Sequence, residues 1–150
     1  MKVLHVAAAV IMDGDNVFAA QRANGAFAGG WEFPGGKCEA GETLADTLVR
    51  ELREEMSLDI AVTGEAVRVE CPYPDFRLVM DCCPARIVSG VPVLREHSAF
   101  RWVSWQDADH VDWLPADRMA VEILRDRFIG RHENAETELH EDEEHTYPQG

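Results

Sequence analysis

The 150-residue sequence predicts a single α/β domain. Three observations carry this: five strand-like stretches, two amphipathic helical stretches, and a charge-rich segment confined to the C-terminus. The strand-like stretches lie near residues 2–12, 16–22, 60–71, 77–88 and 99–104. Asp13-Gly14-Asp15-Asn16 supplies a hairpin turn between the first two. A glycine-rich loop, residues 24–36, follows. The first helix is expected from about Thr43 to Met56, with Leu44, Ala45, Leu48, Val49, Leu52 and Met56 on one face. The second starts near Pro115, carries Met119, Ala120, Ile123, Leu124 and Phe128, and is expected to stop at Gly130.

Composition narrows the function. Hydrophobic residues make up 46%, enough for one packed core. No run of about 18 apolar residues suggests a membrane span. The apolar start, Val3 to Ile11, follows a single lysine and ends in a turn, so a buried strand of a cytoplasmic protein is expected rather than a leader. Net charge is −14. Residues 131–150 hold seven of the 28 acids and only Arg131 among the 14 bases; the remaining 21 acids and 13 bases leave −8 on residues 1–130. Such a surface is unsuited to gripping a nucleic-acid polymer. A single anionic nucleotide can bind where metal ions screen its phosphates. The expected organisation is a domain over 1–130 and an acidic, disordered tail over 131–150. The four cysteines show no Cys-x-x-Cys spacing, so neither a zinc site nor a disulfide framework is expected.

The informative segment is Arg50-Glu51-Leu52-Arg53-Glu54-Glu55. With about 100° per residue, Glu55 lies near +40° and Glu54 near −60° from Glu51, so three carboxylates share an arc of roughly 100°. Glu55 falls inside the margin of the apolar stripe, where a purely structural helix would carry Leu or Ala. Like charges so placed destabilise a helix and tend to take up protons. A hard divalent cation removes the penalty. Alone, the pattern would better suit a solvated acidic face paired with Arg50 and Arg53, since such patterns are common on surfaces.

The surroundings favour the cation. Glu32-Phe33-Pro34-Gly35-Gly36-Lys37 and Gly41-Glu42-Thr43 precede the helix, and paired glycines let backbone approach a bound ion closely. Glycine, five residues, Glu42, seven residues, then Arg50-Glu51-Leu52, Arg53 and Glu54-Glu55 resembles the 23-residue Nudix signature, here Gly36 to Leu58. Ser57 departs from it, standing where glycine is usual at a position that often takes a left-handed backbone. Outside the signature, Gln21-Arg22, the glycine-rich loop, Trp102 and the terminal helix are similar to MutT-type members over residues 1–129.

The resemblance implies a Nudix-type α/β/α sandwich with a mixed sheet. It implies magnesium, with manganese as a substitute, bound by Glu51, Glu54, Glu55 and the Gly36 carbonyl. Arg50 would orient the glutamates and Glu42 brace the loop–helix junction. Glu96 would complete the site; otherwise it is a surface loop residue. Glu51 and Glu96 are both candidate bases. The implied reaction is attack on a nucleoside triphosphate at the β-phosphorus, giving monophosphate and pyrophosphate. Arg22 and Lys37 are candidate phosphate contacts, with Arg22 otherwise a strand-end charge. Asp117, in Asp112-Trp113-Leu114-Pro115-Ala116-Asp117, matches the position facing the base, or else compensates charge in the first turn of its helix. An ionised aspartate only accepts hydrogen bonds, which suits guanine-type bases, including 8-oxo-guanine, or the cytosine amine, over uracil. Tyr73 and Phe76 would stack on the base, or belong to the core. Trp31, Trp102, Trp105 and Trp113 are expected mainly in packing. The alternatives are a dinucleotide or nucleotide-sugar hydrolase of the same family, or a non-catalytic nucleotide-binding module.

Overall fold

The computed structural model describes residues 1–143, with side chains described through residue 129. Eight strands form one mixed sheet: β1 Lys2–Asp13, β2 Asn16–Arg22, β3 Trp31–Glu32, β4 Gly35–Lys37, β5 Asp59–Val62, β6 Val67–Pro72, β7 Phe76–Ser89 and β8 His97–Ser104. Helix α1 spans Leu44–Met56 and α2 spans Pro115–Glu143. Strands β1 and β7 run parallel over ten residue pairs, Lys2 with Phe76 through Ile11 with Ala85. The other strand pairings are antiparallel.

Strand β1 explains the layering. Residues Ala7 to Ile11 are all buried, so both faces of the strand are covered. Ala7, Ala9 and Ile11 pack with Leu48, Leu52 and Met56 of α1. Ala8 and Val10 face the other way, into a cluster with Ala120, Val121 and Leu124 of α2. Alternation along one strand thus feeds two cores. The buried Asp81 on β7 is satisfied by His5 at 2.6 Å and by two bonds of 2.9 Å from Arg68.

Most expected elements are present, with informative differences. The stretch 60–71 is two strands, β5 and β6, separated around Thr63-Gly64. The glycine-rich loop ends in two short strands, β3 and β4. In α1, Thr47 is buried and Ala45 exposed, because the covered face is turned toward the loop, where the Thr47 hydroxyl donates to Glu42 at 3.0 Å. Thr43 caps α1 reciprocally with Asp46, by two bonds of 3.1 Å. Ser57 takes the left-handed cap at φ 54°, the conformation that disfavours a side chain there. The expected stop at Gly130 is not observed, since α2 continues to Glu143. One interior glycine costs a helix only about 1 kcal/mol, and the Glu, Ala and Leu residues beyond it are good helix formers. Of the segment 131–150 expected to lack order, residues 131–143 are therefore helical in backbone, and residues 144–150 lie outside the described residues.

Candidate active site

Helix α1 presents its acids at the margin the sequence indicates: Glu51 and Glu55 half-buried, Glu54 exposed. Arg50 organises them. Its Nε and Nη2 donate to the two oxygens of Glu42 at 2.8 and 2.9 Å. Its Nη1 donates to Glu51 at 2.8 Å and lies 3.5 Å from Glu54. Nη2 also reaches the Lys37 carbonyl at 3.3 Å. Glu42 further accepts from the Glu39 N–H and the Thr47 hydroxyl, each at 3.0 Å. The Arg50 guanidinium, before all else, holds the Glu42 carboxyl down to about 2. Glu42 thus braces the loop–helix junction as the resemblance implies.

Two glycines allow the close packing of this region. A Cβ on Gly35 would come within 2.9 Å of Ala8 Cα on β1. A Cβ on Gly36 would lie 2.7 Å from both carboxylate oxygens of Glu51. The bare Gly36 backbone therefore lies against a carboxylate, as a shared cation site requires.

Glu55 lacks compensation. Burial pushes its carboxyl up to about 8, helped by a hydrogen bond to Glu51 and by the charges of Glu51, Glu32 and Glu96. Among the described residues, no three acidic, histidine or cysteine side chains form a ready-made metal cage. Arg50 draws Glu51 and Glu54 toward itself instead. The donor set nonetheless fits a hard cation: carboxylate oxygens on one turn, a glycine backbone against them, and a carboxyl driven toward protonation by burial among like charges. Glu96 is exposed and shares a small cleft with Glu55, Arg22, Glu32 and His97.

A cavity of about 350 Å³ runs from this acidic margin into the α2 side of the sheet. Arg22, Gly36, Lys37 and Glu55 line it, as do Tyr73, Phe76 and Asp117. Asp117 is fully enclosed, and its Oδ1 accepts the Phe33 N–H at 2.9 Å. Burial pushes its carboxyl up to about 8, against the pull of that hydrogen bond. Its place follows from local pairing. Trp31 donates to the Asp112 carbonyl and accepts from Leu114, both at 2.9 Å, which fixes the start of α2 beside Phe33. Asp117 therefore combines a structural bond with a wall of the cavity. Tyr73 stacks on Phe76 with centroids 4.8 Å apart, and Phe27 meets Tyr73 edge-on at 5.6 Å. Burial pushes the Tyr73 phenol up to about 12.

Two functional candidates escape sequence reasoning. Phe27 sits in the glycine-rich loop, and nothing local distinguishes it from a loop aromatic. His97 is buried at the start of β8, and Glu32 bonds both His97 and Arg22 at 2.9 Å. Of the tryptophans, Trp105 and Trp113 are buried and Trp31 half-buried, whereas Trp102 is 39% exposed with its edge on Phe18.

The arrangement is an α/β/α sandwich with an acidic helix at the mouth of an aromatic-lined cavity. The family model for the NUDIX domain matches residues 3–123. The CTP pyrophosphohydrolase of Escherichia coli strain K12 is 36% identical over 126 residues, covering 83% of this chain and 93% of that protein. The 8-oxo-dGTP diphosphatase of the same strain is 31% identical over 127 residues, covering 83% and 98%. The solution structure of the E. coli ORF135 protein matches with a TM-score of 0.72 at 30% identity, covering 85% of this chain and 92% of that one. The chain belongs to the Nudix hydrolase family.

Proposed function

We propose that the protein is a magnesium-dependent MutT-type pyrophosphohydrolase, converting a nucleoside triphosphate to monophosphate and pyrophosphate. The favoured substrates are 8-oxo-dGTP and cytidine nucleotides. One observation carries the reading: a single cavity joins the acidic turn of α1 to an enclosed carboxyl flanked by aromatic rings. A triphosphate fits that polarity, with its phosphates at the acidic mouth and its base against Asp117.

In this reading Glu51, Glu54, Glu55, Glu96 and the Gly36 carbonyl hold the cation. Bound there, magnesium supplies charge neutralisation of phosphate oxygens and a more acidic water. Arg50 orients Glu51 and Glu54. Glu51 already accepts from Arg50, which leaves Glu96 the freer acceptor for the water's proton. Arg22 and Lys37 face the phosphates. Tyr73 takes the base, with Phe76 behind it and Phe27 at its edge. Asp117 selects the base edge. When protonated it offers one donor and one acceptor, matching cytosine N3 and the 4-amino group. When ionised it offers two acceptors, matching the paired donors of guanine. The catalytic unit ends near residue 130, with the acidic segment 131–150 as an appendage, and a cytoplasmic setting suits reduced cysteines.

The test measures pyrophosphate released from 8-oxo-dGTP, CTP and dCTP, with magnesium and then with excess chelator. Magnesium-stimulated release from at least one is expected. Nucleotide binding without any magnesium-stimulated turnover would instead make the protein a non-catalytic module. Turnover confined to dinucleotides or nucleotide sugars would move it to another substrate class.

A further inference from the structure

Arg22 reaches the cavity from the end of β2, where the pairing with β8 slips. The register shifts between Gln21 and Arg22, which places Arg22 opposite His97. Its side chain is 45% exposed, so burial does not fix its direction. An arginine so placed carries about 2 kcal/mol of rotamer entropy. Glu55 and Asp117 both attract it. Left alone, it could fold onto Glu55 and occupy the place of the cation.

In the structure Arg22 bonds Glu32 instead. Its Oε1 accepts from Arg22 Nε at 2.9 Å, which leaves Nη1 and Nη2 without a protein partner among the described residues. Its Oε2 lies 2.9 Å from His97 Nε2, and the His97 side chain is only 3% exposed. An ionised carboxylate only accepts, so the proton of that bond sits on Nε2. Burial works against the Glu32 charge, yet the bonds from His97 and Arg22 hold its carboxyl below the usual range. The other ring nitrogen, Nδ1, is buried without a partner. That cost falls where the ring braces Glu32.

We propose that Glu32, held by His97, is a positioning residue that aims the terminal nitrogens of Arg22 at the substrate's phosphate chain and keeps them off Glu55. The proposal rests on the reading that Arg22 contacts phosphate. Although Glu32 lines the cavity, its proposed role runs through Arg22. Its carboxylate is spent on two protein donors from different strands.

A double-mutant cycle tests this with the full-length protein, magnesium, and CTP and 8-oxo-dGTP as probes. Arg22→Ala is expected to raise KM on the order of tenfold, the scale of a lost charge-assisted bond. Glu32→Gln, which keeps shape but loses charge, should raise KM about fivefold with a much smaller change in kcat. In the Arg22→Ala background, Glu32→Gln should then add almost nothing. Glu32→Asp, which keeps charge but shortens reach, should behave like Glu32→Gln. Equal losses from Glu32→Gln with and without Arg22 would overturn the positioning role while leaving the phosphate reading intact. An unchanged KM in Arg22→Ala would remove the phosphate reading and the proposal with it. Wild-type kinetics in Glu32→Asp would show that charge alone suffices, which also defeats the aiming role.

Discussion

The two ends of the cavity hold carboxyls pushed up to about 8, and they resolve the same problem differently. Glu55 sits at the mouth, raised first by burial and then by the bond to Glu51 and the like charges of Glu51, Glu32 and Glu96. Asp117 sits enclosed at the other end, with burial as its main cause and one N–H as compensation. A cation from solvent can relieve the first. Only a proton or a base edge can relieve the second. The difference teaches that raised carboxyls mark different roles according to what can reach them.

The largest expected effect breaks the acidic end. Glu54→Gln is expected to fold normally and lose turnover on the order of a thousandfold, as loss of charge stabilisation at a reacting centre does. Thermal unfolding and pyrophosphate release check it; wild-type turnover would remove Glu54 from the cation site. Next comes Asp117→Asn, through stability rather than rate. A carboxyl raised from 3.8 to about 8 on folding lends full stability below pH 4 and loses it as pH climbs through 8. The amide has no such dependence and can still accept the Phe33 N–H. The variant should therefore gain on wild type with rising pH, by roughly 4 kcal/mol between pH 5 and pH 9. Urea unfolding at pH 5, 7 and 9 gives the answer, and a constant difference across pH would contradict it. The same variant should shift base preference more than overall rate.

A smaller effect sharpens the aromatic wall. Tyr73→Ala should raise KM about tenfold, the scale of one base-stacking contact. Phe27→Ala should raise it less, since Phe27 touches Tyr73 only by its edge. Unchanged KM in both would return these rings to the core. The smallest effect lies outside the cavity. Ser57→Gly should stabilise by about 0.5–1 kcal/mol, because glycine accepts φ 54° without strain. A loss of stability on chemical unfolding would mean the serine side chain earns its place.

The two ends also differed in how far the sequence revealed them. The acidic end is local: Glu51, Glu54 and Glu55 share one turn, and helical geometry alone brings them together. Strand β1 was legible too, because an unbroken apolar run marks a strand covered on both faces. The base end draws on residues 27, 73–76 and 114–117, which meet only through the parallel pairing of β1 with β7 and the bridge between Trp31 and Trp113. No spacing encodes that meeting. The link from His97 through Glu32 to Arg22 depends on a slipped register, which has no sequence signature. Gly130 does not end α2, because one glycine weighs less than the helix formers around it.

The segment before Glu96 is fastened to the helix that carries the other acids. Val93 donates to the Met56 carbonyl at 2.9 Å, and Arg95 reaches the Glu54 carbonyl at 3.3 Å. Gly90 lies so close to Ser57 that a Cβ there would come within 2.7 Å of its carbonyl oxygen. A loop moored in this way travels with its helix. The distance from Glu96 to the acids of α1 is therefore set by these moorings and not by the long run of hairpin strands that separates them in sequence.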